Sequence, residues 1–461
     1  MTGEQSTESR TLPTWSSRLA FIFAAVGGAV GFANFWRFPF LVGENGGGVF
    51  VLVYMFWILV LGIPIIIAEL ILGRRGHDNP MSGMSKLVQE GGFNPGWQLI
   101  GWFSILVPFL ALTFYSVIAS WSLDYFVAAA LARFEAFDAT SSADTFKSLL
   151  ASPLRMLFWH SLFMLITIAI VSLGVKRGLE KAVNFMIPSL VLILLVLLVY
   201  AIFKGEFTRG LRFMFYPDFS QLTLGVVFLA LGQAFFSLSV GGGYLLTYSA
   251  YLPANVSLPW ASVSIGLIDM MIALMAGMAI FPIVFAFGLE VNSGPGLMFE
   301  TLPVAFGNMT GGSIIGALFF LLLSFAAFTS TISMLEPAVS WVQTWPRMSR
   351  AKATLVLGTV AWALGIVFIL SFNIWKDVKP LTGVPFFDGK NLFGIIDLIV
   401  ANLMLPVNAL LIALFAGWVL SVSNTREELS GSPHWLYQSW LGVVRFLAPI
   451  AILLVLVTSL Q

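Results

Sequence analysis

Ala24 to Pro39 reads AAVGGAVGFANFWRFP, a stretch apolar enough to cross a bilayer that carries Gly27, Gly28 and Gly31 just ahead of Asn34 and Arg37. A second stretch, Gln233 to Tyr248, reads QAFFSLSVGGGYLLTY, with Ser237 and Ser239 before three consecutive glycines, Gly241 to Gly243. Each glycine costs about 1 kcal/mol relative to alanine within a helix, so the contiguous run should open the hydrogen-bond ladder. Close helix packing through small residues accounts for Gly27 and Gly31. It does not account for the glycine run, because a packing face repeats every third or fourth residue. Unwound backbone at membrane depth survives only where it lines a cavity. Its freed carbonyls are hard oxygen ligands for a cation, and freed N–H groups at half-helix starts suit a carboxylate.

The rest of the chain agrees with a membrane setting. Of 461 residues, 59% are hydrophobic and 10% charged, too few charges for a water-facing surface of this size. A water-soluble enzyme is excluded. The net charge of +1 gives no sign of nucleic acid, and the absence of cysteine removes disulfides and thiolate metal sites. His77, His160 and His434 are scattered and form no metal-binding spacing.

Apolar runs long enough for about 30 Å of hydrocarbon give eleven expected spans, near 17–42, 48–72, 97–127, 157–173, 181–203, 220–250, 260–289, 312–345, 354–372, 392–421 and 440–460. The polar start, Met1 to Thr14, is followed by a run longer than a signal-peptide core, so the first helix is expected to be retained. An N-terminus inside the cell places thirteen Lys and Arg on the inner side against nine outside, with Arg37 within the membrane. The interrupted spans are the first and the sixth. That spacing is what a five-plus-five inverted repeat of a secondary transporter puts at its centre. The expected organisation is an all-α membrane protein with a cytoplasmic tail (1–14), a first repeat (15–203), a second repeat (204–421), and a cytoplasmic loop with helix eleven (422–461).

The runs Gly27–Pro39, Phe235–Tyr251 and Phe325–Pro337 (FAAFTSTISMLEP) resemble the neurotransmitter:sodium symporters, including bacterial amino-acid carriers such as the leucine transporter. The resemblance implies alternating access in the plasma (inner) membrane, two sodium ions, and a small zwitterionic solute. One sodium site would use Ala29, Asn34, Ser237 and Asp269 with the substrate carboxylate. The other would use backbone oxygens of Gly27, Val30 and Ala326 with the hydroxyls of Thr329 and Ser330. Back-bonding to their own helix is the alternative for Thr329, Ser330 and Thr331. The substrate would touch Ala29, Gly31, Phe32, Ala111, Tyr115, Phe236, Ser239, Gly242 and Met334, with Tyr115, from the block LTFYSVIASW, holding the carboxylate.

Charges inside a membrane cost roughly 2.5–3.5 kcal/mol or more each, so each needs a reason. Arg37 and Asp397 match the family's external gate. Trp15, Tyr251 and Glu336 match part of the internal one. The family's internal ion pair is absent, since Leu12 and Thr344 stand at its positions; Arg10 is an alternative cation. Glu69 reads as an interfacial carboxylate or a structural hydrogen-bond acceptor. Asp269 supplies a fixed negative charge where chloride-dependent relatives have a neutral residue, which implies no chloride requirement. Gly31 stands where monoamine carriers have an aspartate, so an amino acid fits. The pocket of Ala111, Phe236, Gly242 and Met334 is apolar, which favours a bulky neutral side chain; a GABA-, taurine- or betaine-like zwitterion is the rival substrate.

Gly28 and Ala33 depart from the usual first-helix pattern, and Gly242 stands where the leucine transporter has an aromatic residue; Phe32 or Tyr244 would have to fill that space. Gly178 and Pro188 match a pattern in which the inner end of helix five unwinds for release, with an ordinary proline kink as the alternative. No counterpart of a twelfth helix is seen, so a monomer is expected. A membrane enzyme would need a nucleophile–base or metal cluster, and none is seen. A non-transporting substrate sensor on the same fold is the other alternative.

Overall fold

The computed structural model describes residues 13–253, 255–289 and 296–459. The first span is two helices, α1 (Arg18–Ala29) and α2 (Ala33–Glu44), bent by 57°. Nine further helices are long and apolar enough to cross a membrane among the described residues: α3 (Gly48–Gly76), α4 (Pro95–Ala130), α5 (Pro153–Ser172), α6 (Val175–Lys204), α9 (Leu258–Ala286), α10 (Gly312–Val342), α11 (Arg350–Phe372), α12 (Leu392–Val419) and α13 (His434–Thr458). Between α6 and α9, α7 (Leu224–Ser237) and α8 (Tyr244–Ala250) stand where the sixth span, 220–250, was expected to be interrupted. No strand is formed among the described residues.

Local chemistry sets many of the helix starts. Ser17, Thr223, Ser349 and Asn391 accept from backbone N–H groups at the starts of α1, α7, α11 and α12, which satisfies donors a helix start leaves orphaned. The longest packing contact runs between α4 and α10, and α1 and α6 lie against α10. Leucines and phenylalanines on the outward faces, such as Leu165, Phe185, Leu192 and Leu355, remain exposed. On a soluble protein they would form a large aggregation-prone surface; here they are the side that meets lipid.

The two breaks differ in length. Only Val30–Phe32 separates α1 from α2, with Val30 extended (φ −66°, ψ 117°). Six residues, 238–243, separate α7 from α8, and Ser239, Gly241 and Gly243 all have positive φ (49°, 81° and 76°). A Cβ on Gly241 would approach Ala409 N to 2.7 Å, and one on Gly243 would approach the carbonyl carbon of Ser104 to 2.6 Å. The glycine run therefore serves both an unusual backbone conformation and close packing on α4 and α12.

Candidate functional site

Where α1 breaks, the amides and carbonyls that leave the helix find side chains from elsewhere. Gly31 N donates to Asn34 Oδ1 at 3.1 Å, and Phe32 N donates to the Tyr115 hydroxyl at 3.4 Å. Ser330 Oγ of α10 donates toward Val30 O at 3.0 Å, Gly27 O at 3.4 Å and Ala326 O at 3.0 Å. Thr329 Oγ1 lies 3.0 Å from the same Ala326 carbonyl. All five groups named for the second sodium site are thus gathered at the contact of α1 with α10. The back-bonding alternative is seen for both hydroxyls, and Ser330 also reaches carbonyls of the broken helix. Thr331, by contrast, bonds to Phe328 O and the Thr167 hydroxyl.

The first cluster forms around a buried carboxylate. Ser237 Oγ donates to Asp269 Oδ2 at 2.6 Å, and Asn34 Nδ2 donates to Asp269 Oδ1 at 2.8 Å. The Tyr54 hydroxyl stands 3.1 Å from Ser237 Oγ. Asn34, Ser237 and Asp269 are all fully buried. A buried carboxylate needs a compensating charge or a dense set of donors. No group of three or more His, Asp or Glu is placed as a transition-metal site among the described residues.

Of the expected substrate contacts, Gly31 and Tyr115 are closely associated. A Cβ at residue 31 would lie 3.0 Å from the Tyr115 hydroxyl and 2.9 Å from Ser330 Oγ, so only glycine leaves this corner open. The Phe32 and Tyr115 rings are 5.5 Å apart. Phe236 lies at the end of α7 with the Arg37 guanidinium 4.4 Å above its ring. Ser239 and Gly242 lie in the longer break. Ala111 and Met334 are half-buried on α4 and α10.

Glu69 is not at an interface. It is fully buried and accepts a hydrogen bond from Gly241 N. Asn408 Nδ2 of α12 donates to Gly241 O at 2.7 Å and Ser104 Oγ at 3.1 Å. The two polar groups of one glycine peptide are therefore held by two side chains. Sequence reasoning missed Asn408 altogether, although an amide on an apolar helix was a visible signal.

The gate residues divide into two sets. Near Trp15, the Arg350 guanidinium holds both oxygens of Glu336, at 3.0 and 2.5 Å, and Tyr251 donates to Glu336 at 3.3 Å. Trp15 Nε1 donates to Tyr248 O at 2.9 Å. Ser16 bonds to Glu180 through both its amide and its hydroxyl. A polar cavity of about 660 Å³ lies beside this set, lined by Pro13, His77, Ser340, Thr344 and Arg350 among others. Arg350 supplies the cation of this set; the alternative cation Arg10, and Leu12, lie outside the described residues. On the opposite side, Arg37 and Asp397 make no ion pair within 4.0 Å among the described contacts, and Arg37 rests on Phe236.

Gly178 lies in a widened turn, 175–179, and α6 is helical through Pro188. A Cβ on Gly178 would lie 3.1 Å from Leu173 Cβ and meet the Ile170 carbonyl, so the glycine is required by close packing in this conformation.

A model of the "Sodium:neurotransmitter symporter family" matches residues 12–140 and 152–461. The chain belongs to this family. The symporter is 34% identical, over 96% of both chains, to an uncharacterised sodium-dependent transporter of Bacillus subtilis. It is 33% identical to an uncharacterised sodium-dependent transporter of Haemophilus influenzae, covering 99% of this chain and 100% of that one. The crystal structure of the transporter MhsT in complex with L-phenylalanine superposes with a TM-score of 0.87 at 39% identity, covering 97% of this chain and 100% of that one. The symporter is therefore a sodium-dependent, multi-pass membrane transporter and not an enzyme.

Proposed function

We propose that this symporter imports a neutral, apolar amino acid with two sodium ions by alternating access, without a chloride requirement. The observation that carries the proposal is the meeting of two broken helices with two separate oxygen clusters, one around Asp269 and one around Ser330. A cation in either cluster would replace donors that now satisfy the exposed carbonyls and the buried carboxylate. The substrate carboxylate would lie by Tyr115 and the amide-rich start of α2, close enough to join the Asp269 cluster and couple solute to ion. The L-phenylalanine in MhsT supports an amino acid as the solute.

The supporting architecture is eleven spans with the N-terminus in the cytoplasm, arranged as a five-plus-five inverted repeat in the plasma membrane, in a monomer. The halves are 15–203 and 204–421, flanked by the tail 1–14 and by 422–461. In this orientation the Trp15 set closes the cytoplasmic mouth and the Arg37 set the external one. Local unwinding at Gly178 and Pro188 would then open a water path to the Ser330 cluster. A tenfold sodium gradient contributes about 1.4 kcal/mol per ion, and a potential of about 100 mV adds about 2.3. Two ions give roughly 7 kcal/mol, enough for about a 10⁵-fold gradient of a neutral zwitterion.

The test is uptake into proteoliposomes with an imposed sodium gradient, using labelled neutral amino acids and, in parallel, GABA, taurine and glycine betaine. Sodium-dependent accumulation of an amino acid in chloride-free buffer supports the proposal. Accumulation of one of the other zwitterions instead replaces the substrate, and binding without accumulation makes the protein a sensor. Asp269→Asn removes the fixed charge, so uptake should fall at least tenfold in chloride-free buffer and recover partly in chloride. Full activity of that variant without chloride rejects Asp269 as the charge that stands in for chloride.

A further inference from the structure

Tyr244 opens α8 directly after the glycine run, and its side chain is 3% exposed. One edge of its ring faces Gly28 of α1: a Cβ there would lie 2.6 Å from Cδ2 and 2.9 Å from Cζ. The other edge faces Gly242, where a Cβ would lie 3.5 Å from Cδ1. The hydroxyl points to Ala25 O of α1 and Leu238 O at the end of α7, at 3.4 Å each. One ring thus fills the space between two glycines on two interrupted helices and reaches the loose end of a third helix segment. A residue that crowds into such a gap excludes any other group from it, because interiors are packed at close to crystal density.

We propose that Tyr244 is a specificity-determining residue of the substrate chamber. Its ring is the wall that Gly28 and Gly242 make room for, and it sets the largest solute side chain the chamber accepts. The inference rests on the reading that the two breaks enclose the solute. Gly242 is itself one of the expected substrate contacts and Gly28 immediately precedes another, Ala29, so the ring backs the first and lies beside the segment that carries the second. The size exchange is reciprocal. A side chain at 28 must displace the ring at 244, whereas loss of the ring frees the space for either a residue at 28 or a larger solute.

The experiment uses the purified full chain with Gly28→Ala, Tyr244→Ala and the double variant. Tyr244→Leu serves in place of Tyr244→Ala if the latter does not fold, as judged by a sodium-induced rise in melting temperature. Sodium-dependent binding is measured for a panel graded in size: L-alanine, L-leucine, L-phenylalanine and L-tryptophan, with taurine, GABA and glycine betaine alongside. The expected result is a shift of about tenfold in the ratio of large-ligand to small-ligand affinity, toward the large, when the ring is shortened. Gly28→Ala alone should weaken binding about tenfold or more, and by less than about twofold once the ring is gone. An unchanged size ratio, or an equal cost of Gly28→Ala in both backgrounds, overturns the role of Tyr244 while leaving the transport reading intact. A wild-type chain that binds nothing on the panel, yet still responds to sodium, sinks both.

Discussion

The two mouths of this symporter carry the same kinds of residue and hold them differently. At the Trp15 mouth, a guanidinium grips both oxygens of a fully buried carboxylate, with Arg350 and Glu336 side chains 15% and 0% exposed. At the Arg37 mouth the cation lies over a phenylalanine ring 4.4 Å away, and its acid, Asp397, is out of direct contact. A bidentate pair fixes distance and orientation together, whereas a cation on a ring keeps its charge while tolerating movement. One set is held by an ion pair and the other by a ring contact. Under the proposed alternating access, opening the Trp15 side requires breaking an ion pair, and opening the Arg37 side only a ring contact.

The sharpest way to break the comparison is Glu336→Gln. It leaves Arg350 largely buried without a counter-charge, and removal of one partner of a buried pair typically costs about 3–5 kcal/mol. The expected outcome is a lowered melting temperature and an open Trp15 mouth. The chain has no cysteine, so a single Ser340→Cys reporter in the cavity beside Arg350 can be titrated with a water-soluble maleimide. Labelling should rise about tenfold in the Glu336→Gln background, and the additional loss of Arg350 should restore part of the stability. Unaltered labelling would mean the pair does not lock the mouth.

That pair also marks the boundary of what the sequence discloses. The breaks were legible because a contiguous glycine run fits no packing period, and the oxygen clusters followed from motifs whose members meet at those breaks. In the sequence Arg350 is one of thirteen inner Lys and Arg, with nothing to single it out. Its partner lies fourteen positions back, on the preceding helix across the connection 343–349, and local pattern carries no information about which of several cations will face a buried acid. For Glu69 the sequence leaves two readings, an interfacial carboxylate or a structural hydrogen-bond acceptor, and the bond from Gly241 N decides for the second. Counting residues along a helix measures distance from a mouth, but not whether another helix will unwind against the side chain. Tyr244 was left open against Phe32, since only the path of the backbone decides which ring enters the gap left by Gly28 and Gly242.

A second prediction separates stability from turnover at the looser mouth. Asp397→Asn removes a charge that makes no close ion pair, so its effect on stability should stay below about 1 kcal/mol, as for weakly coupled charges. If Arg37 approaches Asp397 only as the mouth seals over solute, uptake should nevertheless fall severalfold, mainly in maximal rate. The check is thermal unfolding and initial uptake rate on the same preparation. A large drop in melting temperature would show that the two mouths are held alike.

The smallest expected effect concerns Ser16, whose amide and hydroxyl both meet Glu180 at the start of α6. Ser16→Ala keeps the amide bond and loses the hydroxyl one, a cost of about 1 kcal/mol for a hydrogen bond to a charged group that water can partly replace. The segment that carries Trp15 would then be tied to α6 by one contact instead of two, beside the glycine turn at Gly178. Maleimide labelling of Ser340→Cys should rise about twofold to fivefold, well short of the Glu336→Gln effect. Combining the two changes tests whether they act on one closed element. If they do, Ser16→Ala adds almost nothing once the Arg350–Glu336 pair is broken; if the increments multiply in full, the tether and the ion pair hold separate parts of the mouth.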